Sequence, residues 1–126
     1  MMHRRHPLAL LLALCVLCIP LWTHGAVGAE KDYNAALAIK YAARQQVATG
    51  EGSVVDLVTD TEAIEIDFAR HWQESIGQSL FYSICLKKVP AIILIVGPGP
   101  REAKYVARCK QVCDKYQIHL YVEPRR

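Results

Sequence analysis

Residues 53–68, Ser53-Val54-Val55-Asp56-Leu57-Val58-Thr59-Asp60-Thr61-Glu62-Ala63-Ile64-Glu65-Ile66-Asp67-Phe68, read as two strands joined by a polar turn at Thr59 to Glu62. Two-residue alternation puts Val55, Leu57, Ile64, Ile66 and Phe68 on one apolar face, which predicts a core-facing hairpin. If the four-residue turn closes simply, Val58 pairs with Ala63 and Asp56 stands opposite Glu65. Asp67, two residues further on, shares their face. Like charges opposed across a ladder repel, so the pair is either solvated or bridged by a cation.

Working outward, Gln45 to Thr49 predicts a strand before the Gly50-Glu51-Gly52 turn, so the hairpin extends to a three-strand meander. Before it, Lys31 to Ala43 carries Tyr33, Leu37 and Tyr41 at four-residue spacing and predicts a helix. After it, Arg70 to Lys88 is the most strongly patterned helix. Trp72, Ile76, Leu80 and Ile84 form its apolar stripe, with His71, Ser75, Gln78 and Tyr82 in a polar strip. Ala91 to Val96 is continuously apolar, as for a strand covered on both faces. Pro100 suits the opening of a helix over Arg101 to Tyr116, with Tyr105, Cys109, Val112 and Tyr116 inward. Ile118 to Val122 closes as a strand. The expected fold is α/β: an α-βββ-α-β core, a mixed sheet flanked by helices, with an added C-terminal helix and strand.

Residues 1–29 read as a signal peptide: His3, Arg4, Arg5 and His6 precede the apolar run Leu8 to Ile19, and small residues gather at Ala26 to Ala29. Export to a periplasm or medium is expected, with no stable membrane anchor after cleavage. Residues 30–126 are expected to form a single domain. Its three cysteines, Cys85, Cys109 and Cys113, are odd in number and fit no metal-finger spacing, which predicts free thiols. Charge is divided along the chain. Glu30 to Cys85 holds four Lys/Arg against nine Asp/Glu, whereas Leu86 onward holds nine against three. An acidic half suits a cation and a basic half a phosphate backbone, although both patterns also arise on ordinary solvated faces.

The runs Val55-Asp56-Leu57, Glu65-Ile66-Asp67 and Gln78-Ser79-Leu80-Phe81-Tyr82, in that order, resemble the core of PD-(D/E)XK nucleases. Gln78 and Tyr82 match the Gln-x-x-x-Tyr element of RecB-like members. The stretch Glu65 to Gln78 is similar to small bacterial hypothetical proteins of that superfamily, in which a lysine commonly stands where this chain has His71. The resemblance covers Glu30 to about Val96 and implies a restriction-endonuclease-like fold. It further implies a Mg2+ or Mn2+ ion held by Asp56 and Glu65, with Glu30 as an additional acidic ligand. Gln78 and Tyr82 would line the site.

This chain departs from the motif at one position: Asp67 stands where the catalytic lysine belongs. An aspartate supplies neither the positive charge nor the donors that stabilise charge on a phosphate. His71 and Arg70 are the candidate replacements, Arg70 as a phosphate-binding cation. Arg101, Lys104, Arg108 and Lys115 form a stripe suited to the phosphates of DNA or RNA. Two readings stay open: a metal-dependent nuclease, or a non-catalytic exported relative that binds a cation or a partner.

Overall fold

The computed structural model describes residues 25–126, with side chains from Tyr33 onward. The expected signal segment lies outside the described residues through position 24, and the side chain of Glu30 lies outside them as well. Among the described residues no helix is long and apolar enough to cross a membrane.

The elements follow in the expected order. Helix α1 (Gly25–Lys40) precedes strands β1 (Arg44–Ala48), β2 (Val54–Val58) and β3 (Glu62–Phe68). A single 3-10 turn (Ala69–His71) leads into α2 (Trp72–Leu86), followed by β4 (Val89–Val96), α3 (Pro100–Tyr116) and β5 (His119–Pro124). The five strands lie side by side in the order β1-β2-β3-β4-β5. β1, β2 and β3 form an antiparallel meander, while β3, β4 and β5 run parallel. The crossovers through α2 and α3 make this possible, since parallel neighbours cannot be joined by a tight turn. Each of these helices ends on a left-handed residue, Lys87 (φ 52) and Gln117 (φ 56), whose N–H reaches back to Ser83 and Cys113.

β4 contributes to the core on both of its faces. Ala91, Ile93 and Ile95 face α1 together with Leu37, Ala38, Leu57, Ile64, Ile66 and Phe68. Ile92 and Leu94 face the other side with Cys109, Cys113 and Ile118, edged by Trp72, Ile76 and Val106. Each fully buried Ile or Leu contributes about 1.5–3 kcal/mol. One helix thus covers one face and two cover the other. The cysteines are free thiols, as expected, and the Sγ atoms of Cys109 and Cys113 lie 3.7 Å apart in the core.

Three packing expectations are corrected. Val55 leaves the Leu57 face and packs with Val58, Ala63 and Tyr82, because strict alternation is lost beside Asp56, where the β2–β3 ladder stops. The apolar stripe of α2 is only partly its buried face: Trp72 and Ile76 edge the core, but Ile84 is 76% exposed, while Ser75 and Ser79 are fully buried. The sheet surface beneath α2 carries Ala63, Glu65 and Asp67, a mixed surface that bulky aliphatic side chains would not suit. The serines are small, and their hydroxyls donate to helix carbonyls at His71 and Ile76, so they bury no unpaired donor. On α3 the inward residues are Cys109 and Cys113 with Val106 beside them, and Tyr116 is exposed.

Candidate functional site

The hairpin closes in the expected register, Val58 against Ala63 and Leu57 against Ile64. Thr59 builds the turn by accepting the N–H groups of Thr61 and Glu62 on its hydroxyl, at 3.3 and 2.9 Å. The next backbone exchange is replaced by a side chain. Asp56 Oδ2 accepts the N–H of Ile66 at 2.9 Å. Its Oδ1 accepts from Asn34 Nδ2 on α1 at 3.3 Å and from Gln46 Nε2 on β1 at 3.2 Å. Gln46 stands between the pairs Gln45↔Leu57 and Val47↔Val55, level with Asp56, and adopts a left-handed backbone (φ 50).

Asp56 therefore receives donors from three elements, and its fourth neighbour is the carboxyl of Glu65. Burial raises the Asp56 carboxyl above its ordinary value, against the lowering effect of the Ile66 N–H, Asn34, Gln46 and Glu65. Glu65 itself is buried in the middle of β3. Tyr82, buried on α2, lies close enough for the Glu65 and Asp56 charges to add to burial in raising its phenol. Gln78, exposed one turn earlier, points Nε2 at the Tyr82 hydroxyl at 3.4 Å. Asp56, Glu65, Gln78 and Tyr82 are thus one cluster. Asn34 adds a buried acceptor, Oδ1, that finds no hydrogen-bond partner among the described residues.

Asp67 belongs to a second cluster on the same strand face, since β3 repeats every two residues. Its Oδ1 accepts the N–H of Phe68 at 2.7 Å and faces His71 Nδ1 at 2.9 Å. Arg70 Nε donates to His71 Nε2 at 3.0 Å. A nitrogen that accepts from arginine carries no proton, so the ring is held as the tautomer protonated on Nδ1, donating to Asp67. The Arg70 guanidinium lies over the Phe68 ring at 5.0 Å. Glu74, in the first turn of α2, brings a carboxylate oxygen into the same group: ligand atoms of Asp67, His71 and Glu74 all lie within 4.8 Å of one another.

The basic residues are placed more simply. Arg101, Lys104, Arg108 and Lys115 are all exposed along α3, which packs against the 3-10 turn that carries Arg70 and His71. Three residues around the clusters were not singled out from sequence: Asn34, Gln46 and Glu74. Glu74 follows His71 by three residues, a helix-neighbour spacing that could have revealed it. Nothing in the local sequence marks Asn34 or Gln46.

The chain is similar to two KilA-N domain-containing proteins of Acanthamoeba polyphaga mimivirus. One is 31% identical over 93 residues, covering 74% of this chain and 36% of the viral protein. The other is 33% identical over 94 residues, covering 74% of this chain and 25% of the viral protein. The chain therefore spans about a third or less of the curated relatives it matches. No family model and no solved structure matches it.

Proposed function

We propose that this chain is a PD-(D/E)XK-like module that binds nucleic acid and hydrolyses phosphodiester bonds with a divalent cation held at Asp56 and Glu65. The observation that carries the reading is the opposition of these two carboxyls. Glu65 is buried, Asp56 is partly buried, and the two carboxyls lie close enough to affect each other. Like charges so placed repel, and a cation between them would relieve that repulsion. The succession of elements, helix, three-strand meander, helix, strand, supports the reading.

The residues fit a hard cation. A carboxylate offers about four acceptor positions, and the N–H donors of Ile66, Asn34 and Gln46 occupy three of those on Asp56. With Glu65, and the unpaired Oδ1 of Asn34 close by, the donor set is oxygen throughout, which suits Mg2+ or Mn2+. Such an ion would neutralise phosphate charge and make a bound water more acidic. Gln78 and Tyr82 would position the phosphate or water at the mouth of the cluster, and Arg70 would draw the backbone in. Arg101, Lys104, Arg108 and Lys115 would extend that attraction along α3. Residues 1–29 enter this reading as an export signal.

One observation favours a second reading, binding without cleavage. Asp67 occupies the position of the motif lysine, and its carboxylate is engaged with Phe68 and His71. The test is incubation of the protein with single- and double-stranded DNA and RNA in Mg2+ or Mn2+, beside the double variant Asp56→Ala, Glu65→Ala. Cleavage lost in the double variant supports the nuclease. Nucleic-acid binding without cleavage supports the second reading, and cleavage unchanged in the double variant removes the proposed centre.

A further inference from the structure

We infer that Asp67, His71 and Glu74 form a distinct binding site for a first-row divalent metal ion such as Zn2+ or Mn2+. The end of β3 supplies Asp67, the 3-10 turn supplies His71, and the first turn of α2 supplies Glu74. Their ligand atoms already lie within 4.8 Å of one another. Asp67 Oδ1 and His71 Nδ1, 2.9 Å apart, can share one cation at about 2.0–2.2 Å from each. Glu74 is exposed, on the solvent side of the group.

A second observation comes from the buried member. The Asp67 side chain is 9% exposed, and both of its hydrogen bonds fall on Oδ1. Neither of these two bonds uses Oδ2 of the largely buried carboxylate. Two carboxylates and one imidazole make a donor set that a single divalent ion can bridge.

The donor set selects the kind of ion. One imidazole nitrogen with two carboxylates suits Zn2+, Mn2+ or Fe2+ better than Mg2+, which prefers oxygen and keeps its waters. Three protein ligands leave at least one position open, the arrangement in which a metal can hold water or a phosphate oxygen. Ligation through Nδ1 requires the imidazole proton to move to Nε2, with no net gain or loss. Arg70 must then give up its bond to Nε2. Its guanidinium keeps the Phe68 ring as a resting place.

Asp67 lies two residues beyond Glu65 on β3, and the test of this site does not depend on cleavage activity. Calorimetric titration of the full chain with Zn2+, which the imidazole of this site favours, with Co2+ as an absorbing probe of imidazole ligation, tests it. The comparison uses His71→Ala, Glu74→Gln and Asp56→Asn. The expected result is saturable binding that Asp56→Asn leaves intact. His71→Ala and Glu74→Gln should weaken it by at least the roughly 10–100-fold that follows loss of even an outer-shell partner. Glu74→Gln alters an exposed residue and separates lost ligation from lost folding. No saturable binding, or binding equal in all four proteins, would overturn the proposal. Loss on Asp56→Asn alone would assign the ion to the other cluster and overturn it equally.

Discussion

Asp56 Oδ2 accepts the backbone N–H of Ile66 at 2.9 Å, so a side chain takes the place of a strand carbonyl inside the meander. Truncation to alanine leaves that amide and the Asn34 side chain without their acceptor. Asp56→Ala is expected to lose about 1–3 kcal/mol, the cost of unsatisfied buried polar groups. Urea unfolding measures this directly. A change near zero would mean that water replaces the carboxylate at no cost.

The same carboxyl predicts a pH dependence. Burial raises Asp56 above its ordinary value of 3.8, so the folded state holds a proton that the unfolded chain releases. Stability tied to this group is therefore greatest at low pH and is lost as pH rises through the window above 3.8. Chemical denaturation across that window should show the wild type falling relative to Asp56→Asn as pH increases. Mg2+ should recover part of the loss if the Asp56 and Glu65 pair holds it. A difference between the two proteins that is constant with pH would contradict the shift.

The inner face of α2 makes a prediction opposite to that of its hydrophobic pattern. Ser79 is fully buried, and its hydroxyl is satisfied within the helix, so Ser79→Leu should cost about 1–3 kcal/mol by overpacking. Ile84→Ser, at a position 76% exposed, should change stability by less than about 0.5 kcal/mol. Thermal unfolding of the two variants distinguishes the faces. The reverse order of damage would mean that α2 is rotated.

How far the sequence could be read follows from these residues. The hairpin register and the Asp56 and Glu65 opposition were legible, because a turn of known length and a period of two leave few alternatives. The face of α2 was not legible. Its periodicity identifies Trp72, Ile76, Leu80 and Ile84 correctly as an apolar stripe. Which face docks depends, however, on the partner surface, and that surface is the acidic strip of β3. Asn34 and Gln46 were invisible for a related reason, since their partner lies 22 and 10 residues away. The succession of elements and the mixed sheet were legible as well, whereas the order of the strands within the sheet is given by the structure.

For the exposed stripe of α3, the expected behaviour is electrostatic. The double variant Lys104→Glu, Arg108→Glu should weaken nucleic-acid binding for all sequences alike. If both residues contact phosphates of duplex DNA, the slope of log affinity against log salt should become shallower by about 1.8. Fluorescence anisotropy at several salt concentrations measures both effects. An unchanged slope would assign the stripe to solvation alone.

The coincidence of chain order with spatial order in the sheet has a kinetic meaning. Each strand of β1-β2-β3-β4-β5 meets a neighbour that is already next to it in the chain, separated only by a turn or one helix. No strand has to be threaded between two others after they have paired, and loop-closure entropy stays small at every step. Such a sheet can assemble in sequence, β1 with β2 first, as the polypeptide leaves the ribosome. The acidic pair would then be brought together with the second turn, before either of the parallel strands exists.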